Sequence, residues 1–161
     1  MIIIGVDPGL TGALASINHR GLVAGADMPV MQRSKGRATV KNQVNAAALA
    51  DLLRRWLEGY DKNEIRIFIE RVQAMPKQGV STMFSMGHTC GIIEGVVTAR
   101  GYPHELVTPR EWKKVLKLAS DKAQARTMAQ RLYPEAPLAL AKHHNRAEAI
   151  LIARYGYHAS A

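Results

Sequence analysis

Ile2-Ile3-Ile4-Gly5-Val6-Asp7 is the stretch that most restricts the fold. It is apolar on both alternations up to its last residue. As a strand it offers no face to water, so it must run through the middle of a sheet covered on both sides. It closes on an acid and is followed by Pro8-Gly9-Leu10-Thr11-Gly12, a turn by composition. Ala13–Asn18 and residues 22–28, on either side of His19-Arg20-Gly21, predict two weaker strands continuing as antiparallel hairpins. Residues 32–42 are basic and short of large apolar side chains, which predicts a loop. Behind a capping Asn45, the residues Leu49, Leu52, Leu53, Trp56 and Leu57 fall at helical spacing. Residues 64–70 (EIRIFIE) alternate and end on a carboxylate, as a strand would. A long helix is expected from Ser81, with Met83, Met86, Cys90, Ile93 and Val97 facing the core. Gly87, Gly91 and Gly95 line another side of it. Each glycine costs a helix about 1 kcal/mol against alanine, so close packing there, on the sheet or across a two-fold axis, is expected. Residues 104–107 predict a short strand. A helix follows from Ser120 or Asp121, with Ala125, Met128, Ala129 and Leu132 inward, and a last helix spans about residues 142–155. The order βββαβαβαα over 161 residues predicts a single α/β domain, residues 1–161, built as one mixed sheet flanked by helices.

Charge narrows the partner. Lysine and arginine total 22 against 13 acids, a formal +9. Such an excess favours a polyanion, by attraction and by release of its condensed counterions. No run approaches the roughly 18 apolar residues of a membrane span, and the start MIIIGVD lacks the basic segment and cleavage site of a signal peptide. The single cysteine, Cys90, cannot form an internal disulfide and reads as an inert thiol in a reducing cytoplasm.

Three carboxylates stand where chemistry could use them. Asp7 and Glu70 end strands, and Glu148 lies in the last helix with His144 four residues before it. Positions i and i+4 share a helix face, so His144 and Glu148 can address one spot. Acids at the same end of two strands, met by such a helix, make an oxygen-rich pocket suited to Mg²⁺ or Mn²⁺. Two such ions about 4 Å apart can activate water and stabilise a leaving oxygen in phosphodiester hydrolysis. Each residue also has a plainer role open to it. Asp7 could be a turn former, Glu70 an edge charge, Glu148 a solvated helix residue and His144 a structural side chain.

Longer segments decide between these. IIIGVDPGLTGAL (2–14), IFIERVQAMPKQGVSTMFSMGHTCGIIEGVV (67–97), VTPREWKKVL (107–116), SDKAQARTMAQRLYP (120–134) and KHHNRAEAILIARYG (142–156) resemble, in order, the RuvC-type Holliday-junction resolvases in their short phage and bacterial forms. The resemblance implies an RNase H-like mixed five-stranded sheet flanked by helices and a homodimer. It further implies Mg²⁺- or Mn²⁺-dependent hydrolysis with two ions per site, and paired nicks in a four-way DNA junction. Asp7, Glu70 and Glu148 become expected metal-binding acids, and the cytoplasm of a bacterial or phage-infected cell the expected location. Lys122 matches a recurring lysine of the family and is expected at a phosphate near the cut.

The chain departs from the family at two places. The family carries four ligands, with an Asp or sometimes a His one turn before the last acid. Here that neighbourhood reads His143-His144-Asn145, and His144 fits the helical face better than His143. Gln73 stands where relatives often carry an aromatic that wedges into the junction, and Met75 or Phe84 are its candidate substitutes. Lys113, Lys114, Lys117 and Arg126 are read as an outer basic surface and Trp112 as core. The rival readings are a nuclease of the same fold acting on RNA, a junction-binding protein without cleavage, and the phosphate loop of an actin-like ATPase, which the Asp7-Pro8-Gly9 turn also resembles. The last needs a second similar domain to close over ATP, for which 161 residues leave no room.

Overall fold

The apolar stretch at the start forms β1 (Ile2–Asp7), every residue of it buried. A computed structural model describes residues 1–32, 42–73, 76–118 and 122–160, without the side chains of 122 and 123. Most of the basic loop, Met75, and the expected helix start at 120–121 therefore lie outside the described residues.

β2 (Ala13–Asn18) and β3 (Gly21–Asp27) add to β1 as antiparallel hairpins. On the other side of β1 lies β6 (Ile65–Glu70), parallel to it, and then β7 (His104–Val107), parallel to β6. The sheet order is β3-β2-β1-β6-β7, a mixed five-stranded RNase H-like sheet. Two short strands that the sequence reading lacks, β4 (Val30–Gln32) and β5 (Asn42–Val44), pair with each other beside it.

The two faces of β1 carry two separate cores. Ile2, Ile4 and Val6 pack with Ile65, Ile67 and Ile69 beneath α1 (Ala46–Trp56) and α2 (Val80–Ala99). Ile3 and Phe68 face the other way, toward α3 (Pro109–Val115), α4 (Lys122–Leu132) and α5 (His144–Ala159). α1 is as expected: Asn45 Oδ1 accepts from Ala48 N at 3.1 Å, and Leu49, Leu53 and Leu57 are buried.

Three expectations need correction. α3 has no counterpart in the predicted order; Pro109 opens it and Thr108 caps it, a start signal easily taken for a turn. On α4, Leu132 is 37% exposed, while Tyr133, one residue past the helix, turns into the core at 5%. On α2, Thr89, Ile93 and Val97 are buried, but Met83, Met86 and Cys90 are only half-buried. Burial raises the Cys90 thiol pKa, which disfavours the reactive thiolate. Gly87, Gly91 and Gly95 are exposed, and a Cβ built on any of them would meet nothing within 4 Å. Within one chain they do not pack on the sheet.

α5 lies unusually close to β1. A Cβ on Gly5 would fall 2.1 Å from the Ala149 carbonyl oxygen and 2.3 Å from Ala153 N. Gly156 gives way in the same manner to the Phe68 ring, 2.2 Å from its would-be Cβ. Glycine in the strand and small residues on the helix let the two backbones approach, and that approach carries Glu148 to the end of β1.

Candidate active site

Asp7 and Glu70 are neighbours by register. β1 and β6 run parallel with Val6 opposite Ile69, so the next residues, Asp7 and Glu70, close adjacent strands at the same end. By alternation both lie on the face that carries Ile3 and Phe68, the face covered by α5. The turn after Asp7 is held tight: Gly12 N donates to the Gly9 carbonyl at 3.1 Å, and a Cβ on Gly12 would fall 2.1 Å from the Asp7 carbonyl oxygen. Asp7, Glu70 and Glu148 all line one open cleft of about 870 Å³. Its further walls are the Pro8–Gly12 turn, Asn42 and Gln43, the first half of α2, and Lys113 and Asn145.

Asp7 and Glu148 are each only 8% exposed. Burying two like charges in one cleft is costly unless they are paired, and α3 supplies part of the pairing. Lys113 Nζ lies 3.4 Å from Glu148 Oε1 and 4.9 Å from the centre of the Trp112 ring. The Trp112 indole N–H donates to Glu70 Oε1 at 2.8 Å. Consecutive residues of one short helix thus touch two of the three acids. Trp112 is core, as the sequence reading has it, at 0% exposure. Lys113 belongs to the cleft rather than to an outer basic surface. Its role follows from α3, which the sequence reading lacks, so no sequence signal pointed at it.

The histidines sit differently from expectation. His144 is not among the residues lining the cleft; it is the first residue of α5, and its Nδ1 lies 3.4 Å from the Ala141 carbonyl. Asn145, three residues before Glu148, lines the cleft instead, since i+3 shares a helix face as well as i+4 does. Its amide nitrogen donates to the Thr11 carbonyl and to Thr11 Oγ1. His143 Nδ1 accepts from Leu140 N at 3.3 Å, and desolvation, with Arg146 and Lys142 nearby, holds its pKa below the ordinary value. Lys122 opens α4, but its side chain lies outside the described residues. Gln73 is exposed at the strand end and Phe84 is 74% exposed on the cleft wall.

As a donor set, Asp7, Glu70, Glu148 and the side-chain oxygen of Asn145 are all hard oxygens, which fits Mg²⁺ or Mn²⁺ better than a softer ion. Among the described residues no three acids, histidines or cysteines stand close enough to cage a metal by themselves. That arrangement still suits Mg²⁺, which keeps several waters and commonly takes one or two carboxylates plus substrate phosphate oxygens.

No protein-family model matches the sequence. Two proteins named crossover junction endodeoxyribonuclease RuvC are similar to it. The one from Corynebacterium efficiens is 32% identical over 139 residues, 81% of this chain and 57% of that protein. The one from Corynebacterium jeikeium is 29% identical over 134 residues, 80% of this chain and 78% of that protein. Of the solved structures, Thermus thermophilus RuvC aligns with a TM-score of 0.60 at 15% identity, covering 99% of this chain and 97% of that one. T. thermophilus RuvC in complex with Holliday junction substrate aligns with a TM-score of 0.64 at 16% identity, covering 99% and 96%. In sequence and in fold, the chain resembles these RuvC proteins. It spans just over half the length of the first of these relatives.

Proposed function

We propose that this RuvC-like chain is a metal-dependent endonuclease that nicks four-way or branched DNA junctions by phosphodiester hydrolysis, working as a homodimer. The observation that carries the reading is the meeting of Asp7, Glu70 and Glu148 in one cleft. These acids would hold the divalent cations, Mg²⁺ or Mn²⁺ and by the family pattern two per site, with Asn145 standing where the sequence reading expects His144. Bound metal would supply Lewis-acid activation of water and stabilisation of the leaving oxygen. The chain's own residues do the rest. Asp7 and Glu148 concentrate negative charge in the cleft, and Lys113 offsets it at Glu148. The exposed wall of α2, with Phe84, Ser81 and Ser85, meets the nucleic acid. Lys122, at the start of α4, is assigned to a phosphate near the cut. Two symmetric nicks need two sites related by a two-fold axis, which the open glycine face of α2 could provide by meeting its copy. The place of action is the compartment holding the DNA, the cytoplasm of a bacterial or phage-infected cell; among the described residues no helix is long and apolar enough to cross a membrane.

The test is cleavage of a synthetic four-way junction with Mg²⁺ and with Mn²⁺, beside a structured RNA. Paired nicks in the junction arms are expected. Asp7→Asn and Glu70→Gln should each lose cutting by at least about a hundredfold while junction binding survives, because removing a carboxylate also removes repulsion of phosphate. Wild-type turnover in either variant would sink the site assignment. Binding without cutting in the unmodified chain would make it a junction-binding protein, and RNA cleavage alone would make it a ribonuclease.

A further inference from the structure

The indole of Trp112 is fully buried, and a buried indole N–H must find an acceptor. Backbone carbonyls are the common choice. Here the acceptor is the carboxylate of Glu70, 42 residues away in sequence and at the end of the neighbouring part of the sheet. The ring that presents the N–H is fixed twice over. It is packed among the residues of α4 and α5 in the core. Its helix is also locked at the start, where Thr108 N and Oγ1 both donate to Glu111 Oε2 at 2.7 Å and Pro109 sets the first turn.

We propose that Trp112 is a positioning residue for Glu70: its indole N–H holds that carboxylate in the orientation in which it takes a divalent cation. The inference rests on the proposed function only in that Glu70 is a metal ligand. A glutamate has three side-chain torsions to order before it can bind anything, and a fixed donor orders them in advance. A neutral donor is the suitable kind, because it directs the carboxylate without cancelling the charge that attracts the cation. An arginine or lysine in its place would compete with the metal. Lys113, the next residue, reaches Glu148, so consecutive residues of α3 give one acid a neutral donor and the other a cation. Outer-shell partners of this kind are generally worth about 10- to 100-fold in metal affinity.

Trp112→Phe keeps most of the ring's volume and removes only the donor. Mn²⁺ binding measured without DNA, by the paramagnetic resonance signal of the free ion, should weaken about tenfold, while the thermal midpoint drops by only a few degrees. The unmodified chain offers a second readout that needs no variant at Trp112. It has two tryptophans, Trp56 and Trp112, so the indole ¹H–¹⁵N spectrum contains two signals. The Trp112 signal should move on Mg²⁺ titration and lose that response in Glu70→Gln, while the Trp56 signal stays in place. Unchanged Mn²⁺ affinity in Trp112→Phe, or a Trp112 signal indifferent to Mg²⁺ in a chain that binds Mn²⁺, overturns this inference and leaves the proposed function standing. A wild-type chain that binds no Mn²⁺ at millimolar concentration overturns the metal reading, and this inference with it.

Discussion

At the level of single residues, the cleft distinguishes Asn145 from its neighbour His144. Asn145 lines the cleft and its amide nitrogen is engaged by Thr11, so its side-chain oxygen is the atom proposed as a ligand. His144 sits on the helix start and does not line the cleft. Asn145→Ala should therefore lower single-turnover cleavage about tenfold or more, and His144→Ala should be mild. Asn145→Asp adds a fourth carboxylate and should lower the Mg²⁺ concentration needed for half-maximal rate. A dead His144→Ala beside an active Asn145→Ala would restore the histidine as ligand. Gly5 is the other decisive residue. Its would-be Cβ meets α5 backbone, which cannot swing aside as a side chain can. Gly5→Ala should cost about 3 kcal/mol or more, the upper range for overpacking, read from denaturant unfolding. A Gly5→Ala protein of unchanged stability would mean that α5 does not lie as close to β1 as described.

At the level of elements, α1 and α5 are held in different ways. α1 starts on the Asn45 cap, and Asn45→Ala should cost about 1 kcal/mol with no change in cleavage; a loss of activity with stability intact would contradict a purely structural helix. α5 is tied to the end of β3 by Arg146, whose guanidinium donates to both oxygens of Asp27 at 2.5 and 2.6 Å. The hydrogen bonds and charge of Arg146 lower the Asp27 pKa. A folded-state value below the unfolded one means that the pair stabilises fully above the ordinary carboxylate pKa of 3.8, and that this is lost as pH falls through the lowered value. Asp27 is 64% exposed, so solvent screening limits the gain to under about 1 kcal/mol. Asp27→Asn should thus lower the thermal midpoint slightly at pH 6, by an amount that shrinks as the pH falls below 3.8. An effect that grows in acid would reverse the assignment.

Over the whole molecule, a +9 chain concentrates three acids in its cleft. Affinity for a junction should come from the chain's excess of basic residues and fall with salt, at a log–log slope near −0.9 per phosphate neutralised on duplex arms. It should vary little with junction sequence, because phosphate contacts carry none of it. An affinity indifferent to salt would mean the net charge is not the binding surface. The glycine face of α2 is open within the chain, so Gly91→Leu should leave the fold intact and, by its better helix propensity, slightly more stable. If that face meets its copy, the same change should turn a dimer into a monomer by light scattering at micromolar concentration. A Gly91→Leu protein that remains a full dimer would place the two-fold elsewhere.

Much of this could be read before any coordinates. The double-sided apolar run of β1, the alternation of residues 65–70 and the stripe of α1 record local periodicity, and local periodicity depends only on which residues must leave water. The acids at the ends of β1 and β6 were legible for the same reason, since strand ends follow from strand patterns. The rest depended on contacts between distant segments. α3 is seven residues long and begins with Pro109, too short for a periodic stripe, so neither the indole bond from Trp112 to Glu70 nor the reach of Lys113 to Glu148 leaves a mark in the chain. Whether His144 or Asn145 enters the cleft turns on the rotation of α5, because i+3 and i+4 are equally good neighbours on a helix. The close approach of that helix to β1 across Gly5 and Gly156 sets the rotation, and sequence spacing alone does not contain it.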